Sequence, residues 1–168
     1  MIEGMDKLMK RIGQYENISL QQAVGRAIGH VQSVAKENCP TNDGELRNSI
    51  FTMTEIESGG MVAVGTCYTN KKYASYVEFG TGPKGQENHN GISPNVAWAY
   101  SQSPWWIHES QIDKATAEKY HWFSIDTPEG TFYQCTGQAA QPYMYPALKN
   151  NEEKVVQIIW DDIRRQLR

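Results

Sequence analysis

The chain lacks the features that mark several common classes of protein. Its three cysteines, Cys39, Cys67 and Cys135, are odd in number and far apart. They indicate neither a disulfide framework nor a Cys-x-x-Cys zinc site, and we expect three reduced, mostly packed thiols. No apolar run is long enough to cross a bilayer, and residues 1–10 alternate charged and apolar side chains, unlike a signal peptide. We expect a soluble protein that is made in the cytosol and has no membrane partner.

An excess of basic charge is also missing. The 168 residues include 16 Lys and Arg against 19 Asp and Glu, which gives a formal net charge of −3. Tight binding of nucleic acid needs enough cations to displace the counterions of the phosphates, so a DNA-gripping protein is disfavoured. A chain of this length is typical of one domain, and we predict a single domain over residues 1–168.

The pattern of titratable residues does not favour an enzyme. The four histidines are scattered, and none stands at metal-ligand spacing from another His or from a Cys. These residues are His30, His89, His108 and His121. We therefore predict no catalytic residue, no metal site and no cofactor. A hydrolase that depends on Cys or His is a distant alternative, and it requires a measured activity that is lost when a cysteine is replaced.

Two strong helical patterns are present. Ser19 stands at an N-cap position with Gln22 three residues later, as in a capping box, and the apolar stripe that follows predicts a helix from about Leu20 to Asn38. A second apolar stripe at helical spacing predicts a long helix from about Pro146 to the end of the sequence. A short helix over residues 5–12 is also predicted.

Between the two long helices the sequence indicates a small, mainly antiparallel sheet. Residues 46–54 and 61–66 flank a Ser-Gly-Gly turn and predict a β-hairpin. The apolar face of such a sheet needs cover, which the two long amphipathic helices can supply, so the predicted fold class is α+β. Residues 84–138 concentrate aromatic side chains and are interpreted as an extended arm within the domain. Its strand candidates are residues 105–107, 121–125 and 131–134.

The stretch over residues 73–83 is the most distinctive in the chain. Its aromatic and apolar side chains recur at three- and four-residue spacing and predict a short helix that ends where Gly80 takes a positive φ. A strand is the alternative, because β-branched and aromatic residues are frequent here. The sequence Thr81-Gly82-Pro83 predicts the end of either element.

Glu78 is the one acidic residue within this apolar stretch. A functional interpretation makes it a buried carboxylate that keeps its proton. The favoured interpretation is structural: the carboxylate accepts hydrogen bonds from the backbone of residues 80–82, or it pairs with Arg47.

Four motifs, in order along the chain, resemble the gene-product-ten-like family of siphophage neck proteins, also called tail-completion or tail-component proteins. The motifs lie at residues 4–8, 40–50, 73–82 and 137–148. Each motif is weak alone, but four in the same order are specific. The residues that carry the last three are Gly44, Leu46, Arg47, Ser49, Ile50, Tyr73, Ala74, Val77, Glu78, Phe79, Gly80, Thr81, Gly82, Pro142, Tyr143, Pro146, Ala147 and Leu148.

The resemblance implies a structural protein of the virion neck, made and assembled in the cytoplasm of the bacterial host. It would form a ring of identical subunits between the head connector and the tail terminator or tail tube. DNA would pass through this ring without being tightly bound, and the acidic net charge agrees with that. A ring needs head-to-tail contacts that close on themselves, and we expect the aromatic arm to supply one side of such a contact. The candidate interface residues are Trp98, Trp105, Trp106, Trp122 and Tyr133.

The tryptophan-rich arm also supports a different class of function. Exposed tryptophans stack on sugar rings and on peptides, so a carbohydrate- or peptide-binding module is the alternative. Tryptophans are more often interface or core residues, which favours the structural interpretation.

Overall fold

The computed structural model describes the following residues: 13, 18–41, 44–58, 61–87, 91–112 and 114–167. The fold class is α+β with small antiparallel sheets, and the chain divides into two compact units. Unit 1 combines residues 1–71 with residues 143–168, and unit 2 consists of residues 72–142. The short helix predicted over residues 5–12 and the motif at residues 4–8 lie outside the described residues.

The helices and strands follow one another in this order: α1 Leu20–Asn38, α2 Glu45–Asn48, β1 Ile50–Glu57, β2 Val62–Thr69, α3 Ala74–Phe79, α4 Gly82–Glu87, β3 Trp105–His108, a 3-10 turn Glu109–Gln111, α5 Lys114–Lys119, β4 Phe123–Thr127, β5 Gly130–Cys135, α6 Met144–Lys149 and α7 Glu152–Gln166. No helix in the described part of the chain is long and apolar enough to span a membrane.

Helix α1 begins and ends where the sequence predicts. The Ser19 side chain accepts a hydrogen bond from the Gln22 amide at 3.2 Å, which confirms the N-cap. The second bond of the capping box comes from the other end of the chain, because the Ser19 amide donates to Gln166 Oε1 at 2.6 Å. Gln166 Nε2 in turn donates to the Ser19 carbonyl at 3.2 Å. Two hydrogen bonds therefore join the start of α1 to the end of α7.

Strands β1 and β2 form the predicted hairpin, a two-stranded antiparallel sheet. The sequence misses that residues 45–48 coil into the single turn α2 before β1 begins. Both strands pack on α1. Gly65 makes this packing close, since a Cβ there would lie only 2.8 Å from Val24 Cγ1 and 3.1 Å from Ile28 Cβ.

The long C-terminal helix of the prediction is two helices, α6 and α7. Residues 150–151 separate them, and the Asn151 side chain donates to the Ala147 carbonyl at 3.0 Å. The Val155 amide donates to the Asn151 carbonyl, so Asn151 closes one helix and opens the next. An asparagine in this role gives little sequence signal, because the apolar spacing continues across the break.

Unit 1 is layered, with α1 in the middle. Val24 and Ile28 of α1 face the hairpin, whereas Arg26 and His30 reach α7 and the residue before it. At about 100° per residue these two sets lie on opposite sides of α1. The sequence predicts that two helices cover one sheet. In the structure the layers of unit 1 are the hairpin, then α1, then α7.

Unit 2 contains the predicted short helix, α3, and the three predicted arm strands. Gly80 ends α3 with a φ of 76°, as expected, but a new short helix, α4, begins at Gly82. Strands β3, β5 and β4 pair antiparallel in that order, so the arm forms a sheet of its own.

Candidate functional site

The end of α3 is a point at which several parts of unit 2 meet. The last carbonyl groups of a helix have no partner within the helix and need another donor. Here the Tyr100 hydroxyl donates to the Phe79 carbonyl at 2.7 Å, and Trp98 Nε1 donates to the Gly80 carbonyl at 3.2 Å. The Trp98 ring also stacks on Phe79, with centroids 4.9 Å apart. Residues 98–100 of the arm are thereby bound to the end of α3.

Residues 138–141 bind the same segment from the other side of the sequence. Thr81 and Gln138 exchange two backbone hydrogen bonds, of 2.9 and 3.1 Å. The Gln138 side chain donates to the Tyr76 carbonyl at 2.7 Å, and the Gln141 amide donates to the Val77 carbonyl at 2.8 Å. Residues 76–82 therefore contact the arm (residues 84–138) at residues 98–100 and again where the arm ends, at residues 138–141.

Glycine is required at the centre of this arrangement. Gly80 has φ 76° and ψ 175°, a region that essentially only glycine adopts. A Cβ there would lie 2.7 Å from the Ala140 amide nitrogen and 2.9 Å from the Gln138 carbonyl oxygen. Glycine is thus needed at position 80 for two reasons: it tolerates these backbone angles, and it leaves room for the backbone of residues 138–140.

Glu78 lies on α3 and is buried, with 6% of its surface exposed. Both the functional and the structural interpretation of Glu78 require a buried carboxylate, so its burial does not distinguish between them. Arg47, its suggested partner, lies in unit 1. Within the described part of the chain, no group of three or more His, Cys, Asp or Glu side chains is arranged to hold a metal ion.

Half of the motif residues are buried. Ser49 is buried and donates to the Leu46 carbonyl at 2.7 Å, and Gly44 caps α2 with a φ of 82°. Arg47, Tyr73 and Leu148 are exposed. The buried members are Leu46, Ser49, Ile50, Ala74, Glu78, Gly80, Gly82, Tyr143 and Ala147, and the partly buried ones are Val77, Phe79, Thr81, Pro142 and Pro146.

The five candidate interface residues are placed very differently. Trp98 is partly buried against α3, Trp122 is partly buried, and Tyr133 is buried on the central strand β5. Trp105 and Trp106 are exposed, at 38% and 43%.

Trp106 belongs to a larger exposed surface that the sequence does not reveal. Trp106 and Phe123 both pair with Gln134 in the strand register, and their rings lie 6.1 Å apart across the sheet. Ile125 shares this side of β4, two residues after Phe123. Phe123 is 62% exposed and Ile125 39%. We name Trp106, Phe123 and Ile125 the aromatic face of unit 2.

The opposite side of the same sheet borders an open groove of about 610 Å³. Ser124 and Tyr133 of the sheet line it, together with Trp122. Three carboxylates, Glu109, Glu118 and Asp126, lie in the same lining. An aromatic ring beside carboxylates is the chemistry that sugar hydroxyl groups and rings require.

Asp162 of α7 is a buried charge that the sequence analysis overlooks. It is 1% exposed, and its carboxylate pairs with Arg26 Nε of α1 at 3.1 Å and with Arg165. Gln166 Nε2 donates to its other oxygen at 2.9 Å. The sequence signal for a buried charge is that Asp162 lies on the same helix face as Val155 and Ile159. Asp162 fastens α7 to α1.

Both outer layers of unit 1 expose apolar side chains. The side of the hairpin that faces away from α1 carries apolar residues that are 37–44% exposed, and we name it the hairpin face: Phe51, Met53, Val62, Val64 and Tyr68. On α7, Val156 and Trp160 are 53% and 56% exposed, and they form the helix face. Trp160 is missed by the sequence analysis because it does not share the spacing of the buried stripe.

Cys39 and Cys135 are buried, and Cys67 on β2 is partly buried. Burial raises the pKa of the Cys67 thiol, and the charge of Lys36 partly offsets this. Because the thiolate is the reactive form, Cys67 should react with iodoacetamide more slowly than an unstructured cysteine at about pH 8. The Lys36→Gln variant should react more slowly still, because it loses the cation that lowers the pKa. Mass spectrometry of timed samples measures both rates, and faster labelling of the variant would contradict the assignment.

The same pKa shift predicts how stability depends on pH. The folded pKa of Cys67 lies above the unfolded one, so the unfolded chain releases its proton first. The contribution of this thiol to stability is fully present at neutral pH and falls as the pH rises above about 8.5. Urea unfolding at a series of pH values, compared with the Cys67→Ala variant, measures this difference.

A family model described as "Bacteriophage HK97-gp10, putative tail-component" matches residues 1–80. The match includes the motifs at residues 4–8 and 40–50 and ends inside the motif at residues 73–82, whereas residues 137–148 lie beyond it. No curated protein sequence and no solved structure matches the chain significantly. Residues 1–80 of the chain are therefore similar to the HK97-gp10-like bacteriophage tail components, the family that its motifs resemble.

Proposed function

We propose that this protein is a structural, non-catalytic component of the neck of a tailed phage or prophage. It assembles as a ring that completes the tail and helps to join the tail to the head. The observation that carries the proposal is the family match over residues 1–80. Its partners are further copies of itself, the tail-terminator or tail-tube protein and the head-connector protein.

Two properties of the chain support this role. A net charge of −3 allows DNA to pass through a ring without the strong attachment that a basic lining would produce. The aromatic face also offers a surface for a neighbouring protein, since exposed Trp and Phe side chains are frequent at the centres of protein interfaces. We assign Trp106 and Phe123 to the contact with a neighbouring protein of the neck.

The test is size-exclusion chromatography with light scattering on the purified chain, alone and mixed with the tail-terminator and connector proteins encoded beside it. The expected result is a ring-sized species, formed alone or in the mixture. The double variant Trp106→Ser, Phe123→Ser should weaken binding in the mixture at least about tenfold, because exposed aromatic anchors supply most of such an interface. Val96→Ser removes another exposed apolar side chain of unit 2 and serves as the control. A wild-type chain that stays monomeric in every mixture would contradict the proposal.

The groove beside Trp122 favours a second candidate function, a carbohydrate-binding module. Trp122 lines it with Glu118 and Asp126, so a sugar could stack on the ring while its hydroxyl groups donate to the carboxylates. Titration with bacterial cell-wall glycans should then quench tryptophan fluorescence saturably, and Trp122→Ala should abolish the quenching. The absence of saturable quenching across the glycans would exclude this function.

A further inference from the structure

Strand β4 is an open edge of the sheet in unit 2. Thr127 of β4 pairs with Gly130 of β5 on either side of a two-residue turn, and residues in these positions exchange backbone hydrogen bonds. Bonded and non-bonded pairs alternate along an antiparallel ladder, so the backbone N–H and C=O groups of Ser124 and Asp126 point away from β5. In the described part of the chain no other backbone group binds them. Such an edge is a template for a further strand.

The side chains of the same two residues line the groove, which is net negative. With histidine counted as neutral, the lining carries three carboxylates and one cation, Lys114. The Lys114 ammonium group lies 3.8 Å from Glu118, and both side chains are largely exposed, so this pair contributes little. Among the described residues, neither Glu109 nor Asp126 pairs with a Lys or Arg side chain. The groove therefore suits a cationic group.

The other basic residue of α5 does not change this balance. The Lys119 ammonium group lies over the Tyr120 ring, 5.5 Å from its centroid, and Lys119 is not part of the lining. The three carboxylates do not form a metal site either, because no group of three such side chains in the described residues is arranged to hold an ion. Carboxylates that are spread along a groove suit a chain of basic side chains.

The opposite side of β4 is apolar. Phe123 and Ile125 belong to the aromatic face and are 62% and 39% exposed. Side chains of a strand alternate between its two sides, so a strand added to β4 places every second side chain beside the aromatic face and the others over the groove. Opposed Cβ atoms lie about 5 Å apart, which brings a lysine or arginine opposite Asp126 within reach of its carboxylate. The matching ligand is an extended segment in which apolar and basic residues alternate.

The described part of the chain offers no such segment of its own. Its five strands carry no Lys or Arg, so a strand from a second copy would bring no cation to the groove. We infer that the edge of β4 binds an extended segment of a different protein, in which apolar residues alternate with Lys or Arg. Main-chain hydrogen bonds would hold this segment, and the groove and the aromatic face would select its side chains. Only the identity of the partner as a neck protein rests on the proposed function.

Synthetic peptides test this inference on the full-length chain. The probe is a dye-labelled peptide of about seven residues that alternates valine with arginine, and fluorescence anisotropy measures its affinity. The same peptide with glutamate in place of arginine should bind at least about tenfold more weakly, because its charges oppose those of the groove. N-methylation of every second amide removes the donors from one edge of the peptide. Binding should be lost when the methyl groups lie on the edge that meets β4 and should persist when they lie on the other edge.

Substitutions in the protein separate the groove from the edge. Glu118→Gln combined with Asp126→Asn removes two carboxylates of the groove and should weaken binding of the arginine peptide at least about tenfold. Glu129→Gln is the matched control, because Glu129 is an exposed acid outside the lining. Ser124→Pro removes an N–H that points away from β5, and proline is tolerated at such edge positions. Its melting temperature should stay close to that of the wild type, while peptide binding is lost.

Other outcomes overturn the inference. These are equal affinity for the arginine and glutamate peptides, N-methylation without effect on either edge, and no binding of the arginine peptide at about 1 mM. A strongly lowered melting temperature of Ser124→Pro would contradict the outward direction of its N–H. Glycan quenching that depends on Trp122, without peptide binding, would make the groove a sugar site. None of these results excludes a neck protein, because assembly with the tail-terminator and connector proteins is measured separately.

Discussion

Replacing Gly80 by alanine is expected to lower the free energy of unfolding by about 3–5 kcal/mol. The reason is twofold. An alanine would have to hold φ 76° and ψ 175°, and its Cβ would meet backbone atoms of residues 138–140 at 2.7–2.9 Å. The Gln138 carbonyl oxygen accepts a hydrogen bond from the Thr81 amide in the bridge between these two residues, so it cannot move away without weakening that bond. Urea unfolding followed by circular dichroism and tryptophan fluorescence measures the loss.

Gly29→Ala is the matched control for this variant. Gly29 lies within α1, and a Cβ there would have no atom within 4 Å. Alanine favours a helix over glycine, so this variant should be more stable by about 0.5–1 kcal/mol. The same chemical change thus has opposite signs at two positions. A Gly80→Ala protein as stable as the wild type would contradict the close packing of residues 138–140 on Gly80.

The second large effect is expected at Asp162. Asp162→Ala should cost about 2–4 kcal/mol, because it removes hydrogen bonds to Arg26, Arg165 and Gln166 and leaves a gap between α1 and α7. Hydrogen exchange should show faster opening of α7 together with the first turns of α1. Thermal and urea unfolding of the full-length chain give the change in stability.

Asp161→Ala separates the effect of burial from that of charge. Asp161 is the neighbouring acid, it is exposed, and it lies 3.6 Å from Arg164. An exposed ion pair contributes little, so this change should cost less than about 0.5 kcal/mol. Raising the salt concentration should leave the difference between the two variants largely intact, since buried pairs are weakly screened. Equal effects of the two substitutions would contradict the role given to Asp162.

Features that depend on local chemistry could be predicted from the sequence. Ser19 begins α1 because its side chain satisfies a helix amide, and Gly80 ends α3 because it alone tolerates its backbone angles. The hairpin and the three arm strands follow from alternation and from turn residues. The resemblance to the tail-component family, read from short motifs, is confirmed over residues 1–80.

Features that depend on distant contacts could not be predicted. Whether Trp160 is buried or exposed depends on which side of α7 meets α1, and that choice is made by Asp162 and Gln166. The separate sheet of unit 2 depends on β5 pairing with two strands from opposite directions in the sequence. The capping role of Gln166 joins residues 147 positions apart, which no local pattern can report.

The hydrogen bonds between Ser19 and Gln166 have a consequence for the order in which the protein matures on the ribosome. Unit 2 is encoded between the two parts of unit 1, so all of it is synthesised before α7 emerges. Until then, the side of α1 that receives α7 has no cover, and the surface with Trp160 does not yet exist. A nascent chain therefore displays its hairpin face before its helix face has been synthesised.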